Sequence, residues 1–540
     1  MKTRIAPQTD LLLAARAAHV RRDWHASYDA FVRAAEDTAL STDDLDAMAV
    51  AAWRVGRGKE SVRVAERVFG RLASTDPPAA AMKAVDLALA WLFRGDINVG
   101  RGWMSRARRL LDGAPECATH GYLAYLDFVV AVMTRDSAAV PARVTTLREV
   151  CDRLDDTPAL TALCHVAQGL EAVFDGKLAE GYGHIDEAML PVLADQVPLD
   201  WAGDIFCTVL HHCHRLADMP RMRAWTQSME RWCNEFAVSA NYGGVCDVHR
   251  LQLQAATDDY HVLEHRLAEA SRALEEVNCW AGGEGYYQLG EVRRLRGDAD
   301  GAFEAFSRAR SLGIDPQPGE ALLRCRTGDS DTAWTDLRVA LAGADRLGRM
   351  RLLHGAVDVA LSRGSLDEAE RHCRELESGA EVFGTPGFRG WAAHARGAIL
   401  VQRAQHAEAL DALQAALREY RSQQSRYETA QLYEWMAIAH KGLGEYQLAA
   451  ADAATAENIY AQLGVEPAQV CGISSPGGLT KREIEILRRV AGGATNRQVA
   501  EQICISEKTV GRHLANIYAK LGVSSRTAAV AWAHDNNVLQ

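Results

Sequence analysis

Near the C-terminal end, Lys508, Thr509, Arg512, His513, Asn516 and Lys520 interleave with Val510, Leu514, Ile517 and Leu521, which recur at intervals of four, three and four. That recurrence is the buried stripe of a helix, expected from Glu507 to Leu521, and the polar residues lie largely off it. Arginine and asparagine are the side chains that pair bidentately with guanine and adenine edges. The chemistry open to this face is therefore base reading in a major groove, resting on Arg512 and Asn516. A second group, Cys207, His211 and His214, shares a helical face at spacings of four and three, which suits a metal ion. Ordinary packing of a thiol and turn-exposed imidazoles fits the same spacing, and no fourth ligand is fixed. A third group is aromatic: Trp201, Trp225, Trp232, Tyr242, Trp280 and Tyr286 gather mid-chain, as the wall of a ligand pocket or as inter-helix packing.

The elements that must position the first group carry start signals. Thr480 with Glu483, and Thr495 with Gln498, have the spacing of a capping box, in which hydroxyl and N3 side chain exchange hydrogen bonds with each other's amides. Ser506 caps the third helix, and Ser524 or Ser525 a fourth. Val499, Ala500 and Ile503, followed by a short Cys504-Ile505 turn, place the third helix against the second as a helix-turn-helix. Leu479 to Glu483, Gly493 to Ala500, Ile505 to His513 and Lys520 to Arg526, together and in this order, closely resemble the LuxR-type (GerE-like) helix-turn-helix. The resemblance implies that Thr509, Arg512, His513 and Asn516 sit on the recognition helix. It also implies that Lys520 and Arg526 contact phosphate or brace the fold, and that Thr495 and Asn496 open the scaffold helix where amides meet phosphate. It implies dimers on two half-sites as well. Gly511 departs from the pattern, standing where many members carry a polar base-reading residue. A helix-interior glycine costs about 1 kcal/mol relative to alanine, which a close backbone approach to DNA would justify.

Upstream, one pattern repeats: an apolar helix, a Gly/Asp turn, and a second helix rich in small residues. The turns fall at Asp23, Gly58, Gly95-Asp96, Asp136, Gly176, Asp218, Asp258, Gly297-Asp298, Gly328-Asp329, Gly364, Ala404 and Gly444, about 31 to 42 residues apart. In the unit from Tyr287 to Ala309, Leu289, Val292 and Leu295 line one helix, and Ala302, Phe303, Ala305, Phe306 and Ala309 the next. The array resembles tetratricopeptide repeats with a degenerate consensus. The fold class expected is all-α: a tetratricopeptide-like superhelix over residues 10–462, a linker over 463–476 containing Pro476 and Gly477, and a small four-helix LuxR-type domain over 477–540.

Charge divides the same way. Residues 477–540 hold nine Lys and Arg against five Asp and Glu, so of the chain's net −11 the remainder carries −15. Free DNA is repelled by such a body and drawn to the tail. The 48% hydrophobic and 24% charged residues of this 540-residue chain exclude a disordered or collagenous protein. The longest apolar run, Tyr122 to Met133, is broken by Asp127 and too short for a bilayer. Twelve scattered cysteines without a CxxC pair read as reduced thiols. Gly56-Arg57-Gly58-Lys59-Glu60 lacks the earlier glycine and the hydroxyl of a phosphate loop, and no nucleophile–base pattern is visible. The expectation is a cytoplasmic, non-enzymatic transcription regulator without a cofactor or membrane partner. It binds double-stranded promoter DNA as a homodimer, takes a small-molecule or protein ligand in the repeat groove, and works with the transcription machinery. An interaction scaffold with secondary DNA contact, and a metal- or thiol-redox-sensing regulator, are the alternatives left open.

Overall fold

The computed structural model describes residues 6–154, 157–235, 240–275, 277–465, 479, 481–503 and 506–535; of Tyr242, Lys508 and Lys520 only the backbone belongs to this set. Among the described residues it is all-α, with twenty-four helices from Ala6 to Leu463 and four more from Lys481 to Asp535. The chain divides into a large unit of Met1–Ala360 and Ser365–Ala468 and a small one of Leu361–Gly364 and Gln469–Gln540. The expected 463–476 linker lies mostly outside the described residues, as do Thr480 of the first capping box and the Cys504-Ile505 turn.

The large unit is a tetratricopeptide-like array of antiparallel helix pairs, and its turns fall where the Gly/Asp pattern predicts. Arg22, Gly56, Gly95, Arg135, Gly176, Ala217, Gly297, Gly328, Gly364, Ala404 and Gly444 all take positive φ, ending the first helix of a pair. Asp258 alone turns without such a residue nearby. At the second turn the left-handed residue is Gly56, and Gly58 instead opens the following helix against Trp53. The aspartate that follows restarts the chain. The side chains of Asp23, Asp298 and Asp329 accept hydrogen bonds from the amides of Ala26, Gly301 and Thr332, which satisfies amides that a helix start leaves open.

Packing within a pair follows the size pattern. Leu289, Val292, Leu295, Ala302, Ala305, Phe306 and Ala309 are all buried. A Cβ on Gly290 would lie 2.4 Å from the Phe306 ring, so glycine there admits the ring between the helices. The Ala118–Met133 helix, which contains the longest apolar run, is a core element with Tyr125, Leu126 and Phe128 almost fully enclosed. No helix among the described residues is long and apolar enough to cross a membrane.

Repeats also meet far along the chain, which no local pattern announces. The Arg426 amide donates to the Ala256 carbonyl at 3.0 Å and its guanidinium to Thr257 at 3.0 Å. Arg223 donates to the Gln423 carbonyl at 3.2 Å, Arg54 pairs with Asp200 at 2.9 Å, and a Cβ on Gly387 would lie 2.3 Å from Ala217. The array therefore winds back on itself, so that repeats some 169 to 200 residues apart are neighbours.

Ala404 is an exposed alanine held at φ 57° where most of the turns carry glycine. The left-handed region costs an L-residue about 1–2 kcal/mol, partly offset by glycine's larger unfolded-state entropy. Ala404→Gly should therefore stabilise the array by up to about 1 kcal/mol, read as a higher urea midpoint. An unchanged or lower midpoint would mean the turn is not strained.

Candidate nucleic-acid interface

The small unit is built from helices Lys481–Ala491, Asn496–Gln502, Glu507–Leu521 and Arg526–Asp535. Its core joins Ile486, Leu487 and Val490 of the first, Val499, Ala500 and Ile503 at the second, Val510, Leu514 and Ile517 of the third, and Ala529 and Ala533 of the fourth. Trp532 packs partly against this core. The four-three spacing of Val510, Leu514 and Ile517 thus does what the sequence requires, fixing the rotation of the third helix.

Local chemistry fixes where each helix begins and ends. The Thr495 hydroxyl accepts from the Gln498 amide at 3.3 Å, and Gln498 Oε1 accepts from the Thr495 amide at 2.8 Å, closing the capping box. Ser506 Oγ accepts from the Thr509 amide at 3.1 Å. Of the two serines before the fourth helix, Ser525 is the cap, accepting from Ala528 at 3.2 Å. Gly522, at φ 62°, ends the third helix and lets the Val523 amide reach the Tyr518 carbonyl at 3.0 Å.

With its inner stripe buried, the third helix turns Arg512 and Asn516 to the exterior, both exposed, and leaves Thr509 and His513 half-buried beside them. Neither Arg512 nor Asn516 makes a hydrogen bond or ion pair among the described residues. Other basic side chains of the unit are spent internally: Arg489 pairs with Glu485 at 2.8 Å and Arg497 with Glu501 at 3.2 Å, each one turn apart. A Cβ on Gly511 would meet nothing within 4 Å, so no protein contact demands glycine there. The side chains of Lys508 and Lys520 lie outside the described set.

Arg526 has an internal role. Its guanidinium donates to Asn496 Oδ1 at 3.1 Å and to the Ala494 carbonyl, tying the start of the fourth helix to the start of the second. Asn496, half-buried, is engaged in the same tie. Of the two roles the sequence left open for Arg526, bracing is the one its contacts occupy.

The fold and this exposed face define a helix-turn-helix of the LuxR type. Residues 478–533 match the family model described as GerE, bacterial regulatory proteins of the luxR family. The chain is 49% identical over 61 residues to the transcriptional regulatory protein LiaR of Bacillus subtilis, covering 11% of this chain and 29% of that protein. It is 50% identical over 58 residues to the CsgBAC operon transcriptional regulatory protein of Escherichia coli, covering 11% and 27%. The chain thus spans less than a third of the length of these relatives. Among solved structures it is similar to a Rap protein complexed with competence and sporulation factor, at 12% identity and a TM-score of 0.38 over 75% of this chain and 98% of that one.

For the other two groups, in the large unit, the sequence left packing and a ligand site both open, and most of their contacts are those of packing. Cys207, His211 and His214 do share the Leu199–Arg215 helix, but among the described residues their ligand atoms do not converge. The His211 ring meets Trp280 edge-on with centroids 4.1 Å apart, and the Cys207 thiol is buried, which pushes its pKa far up. Helical spacing gave a shared stripe, and the neighbouring helix filled it with an indole rather than a fourth ligand. The group that does converge is His165, His184 and Glu187, on two helices. The aromatics also divide. Trp201 is enclosed between Tyr122 and Tyr125, and Trp232 lies against Phe206, leaving neither ring a free face. Trp225, Trp280 and Tyr286 are half-buried, the last donating to Glu275 at 2.5 Å. The side chain of Tyr242 lies outside the described set.

A cluster the sequence did not single out lies near these residues. His211, His214, Arg215, His249 and Arg351 share one electrostatic neighbourhood, which also reaches the Glu284 carboxyl. Arg351 lies 4.7 Å over the Tyr287 ring. Burial drives His211 and His214 well below the usual imidazole range and raises Glu284. Its members are spread between positions 211 and 351, and only the winding of the array gathers them.

Two measurements test these placements. Arg526→Ala removes two hydrogen bonds at a helix junction, worth about 1–3 kcal/mol together, so amide exchange across residues 481–535 of the full-length protein should accelerate at least several-fold; unchanged exchange would mean the brace is idle. Burial also holds His249 at about 4, with Nδ1 3.1 Å from Gln252 and Nε2 without a partner. The unfolded chain takes up this proton near pH 6.5 and the folded one only near pH 4, so stability is lost as pH falls through that window. By that linkage wild type should lose up to about 3 kcal/mol relative to His249→Gln between those limits, and parallel pH profiles would refute it.

Proposed function

We propose that this chain is a DNA-binding transcription regulator, in which the third helix of the small unit enters a major groove and the repeat array receives a signal. The observation that carries the reading is the outward face of that helix, where Arg512 and Asn516 stand exposed, with no partner among the described residues, while the opposite face is locked into the core. Arg512 and Asn516 read base edges, with Thr509 and His513 flanking them. Lys508 and Lys520, and the amides opening the Asn496–Gln502 helix behind Thr495, contact phosphate. Gly511, where an added Cβ would point into open space, is the point of closest backbone approach to DNA. The chain acts as a homodimer on a two-fold site, whose half-sites must lie about 34–36 Å apart along the duplex, or multiples of that.

The array's part is to bind a small molecule or protein, and it supplies no catalysis. Its net −15 keeps DNA on the tail and leaves its own surface for other partners. The relatives named as transcriptional regulators support promoter DNA as the target.

Genome-wide binding of the full-length protein, compared with Arg512→Ala/Asn516→Ala, tests this. Discrete sites carrying a paired motif, lost in the double variant, are expected. In solution, Arg512→Ala alone should weaken specific sites by about 1–3 kcal/mol while leaving random DNA nearly unchanged. Equal losses on both would make Arg512 a phosphate contact. Absence of any sequence preference, with partner binding intact without the last 64 residues, would establish the scaffold reading in its place.

A further inference from the structure

We infer that His165, His184 and Glu187 form a zinc-binding site on the repeat array, independent of the DNA-reading helix. His165 belongs to the Pro158–Phe174 helix, and His184 and Glu187 stand one turn apart on its antiparallel partner, Leu178–Leu193. These two helices run unusually close. A Cβ on Gly169 would lie 2.8 Å from Ile185 and 3.0 Å from the Gly181 carbonyl, and one on Gly181 would lie 2.8 Å from the Gly169 carbonyl. No larger residue fits at either place without moving backbone. Gly169 sits one turn beyond His165 and Gly181 one turn before His184, so the glycine contact sets the separation of the two imidazoles.

At that separation the nitrogens face each other: His165 Nδ1 lies 3.1 Å from His184 Nδ1, and His165 Nε2 lies 3.3 Å from Glu187 Oε2. One ligand atom from each of the three residues can be chosen so that all lie within 4.8 Å of one another. In a tetrahedral site with Zn–N bonds of 2.0–2.1 Å, two ligand nitrogens stand about 3.3 Å apart, close to what the glycines impose. Two imidazoles and one carboxylate favour zinc over the oxygen-seeking magnesium and calcium. Both histidines are half-buried and Glu187 is exposed, with 62% of its side chain accessible. Three protein ligands at a solvent edge leave a fourth position to water, the pattern of an exchangeable site rather than a closed structural one. Without metal the same atoms form a hydrogen-bond chain, His184 Nδ1–H donating to His165 Nδ1 and His165 Nε2–H to Glu187. Zinc would replace the proton between the two Nδ1 atoms, that proton would move to the far nitrogen of His184, and the solvent-exposed Glu187 carboxylate would leave His165 Nε2–H for the metal.

The full-length protein, stripped with chelator and titrated with zinc sulfate against a chromogenic competitor at pH 7.5, tests the site. One zinc per chain, with magnesium failing to compete, is the expected result. Glu187→Gln, an exposed change that leaves the packing alone, should weaken binding at least tenfold. His165→Ala/His184→Ala should abolish it while the far-ultraviolet spectrum stays wild type; should that variant not fold, the glutamine variant decides. No zinc uptake by wild type, or stoichiometric uptake that survives Glu187→Gln, would overturn the site. Uptake lost in Cys207→Ser instead would move the metal to the Leu199–Arg215 helix and overturn it equally.

Discussion

The large unit depends on one turn, made repeatedly. A helix ends on a residue at positive φ, and in several of the turns the aspartate that follows caps the next helix within three residues. The first step releases the chain from the helical path and the second restarts it in the opposite direction, so the angle between paired helices is set by backbone geometry before any side chain packs. Side-chain size then decides how near the pair comes. Where Gly290 faces Phe306 a ring is admitted, and where Gly169 faces Gly181 the backbones themselves meet. A nearly constant turn repeated at a nearly constant interval must wind, and the winding brings Arg426 to Ala256 and Arg54 to Asp200.

That hierarchy explains what the sequence disclosed. The turn residues and the apolar spacing are local, so the array, its register and the Tyr287 to Ala309 unit were legible. The small unit was legible for a different reason: caps at Thr495 and Ser506, an apolar stripe at four-three spacing and a positive local charge all specify one short segment. Features that need two distant segments were not. Cys207, His211 and His214 looked like ligands because helical spacing is visible along a chain, whereas the indole of Trp280 that occupies His211 is not. His165 and His184 escaped notice because their meeting is decided by two glycines on separate helices. The brace between Arg526 and Asn496 was invisible for the same reason, and basic residues near a DNA-reading helix read first as phosphate contacts.

The two units solve opposite electrostatic problems. In the array, burial dominates: it keeps His211, His214 and His249 neutral and holds the Glu284 carboxyl toward its protonated form. In the small unit the carboxylates are few and two of them are engaged by Arg489 and Arg497, which leaves Arg512 to project its charge outward. Segregation of charge therefore does not require a long-range field. It follows from which basic residues have an acidic neighbour one turn away and which do not.

Contacts between distant repeats restrict how a signal in the array could act. Straightening or tightening the winding would have to part Arg54 from Asp200, and the Arg54 side chain is only 3% exposed. Asp200 is half-exposed, so parting this pair costs less than breaking a fully buried one, but the Arg426 and Arg223 contacts to main-chain carbonyls would open with it, for a total of about 3–5 kcal/mol. A ligand can shift such an equilibrium only by the difference in its affinity for the two states, so about 3–5 kcal/mol demands a preference of roughly two to four powers of ten. A signal that instead changes how two chains associate leaves these contacts in place and acts through concentration, which a two-site operator reads directly. If the array receives a signal as proposed, control through self-association is on energetic grounds the less demanding route.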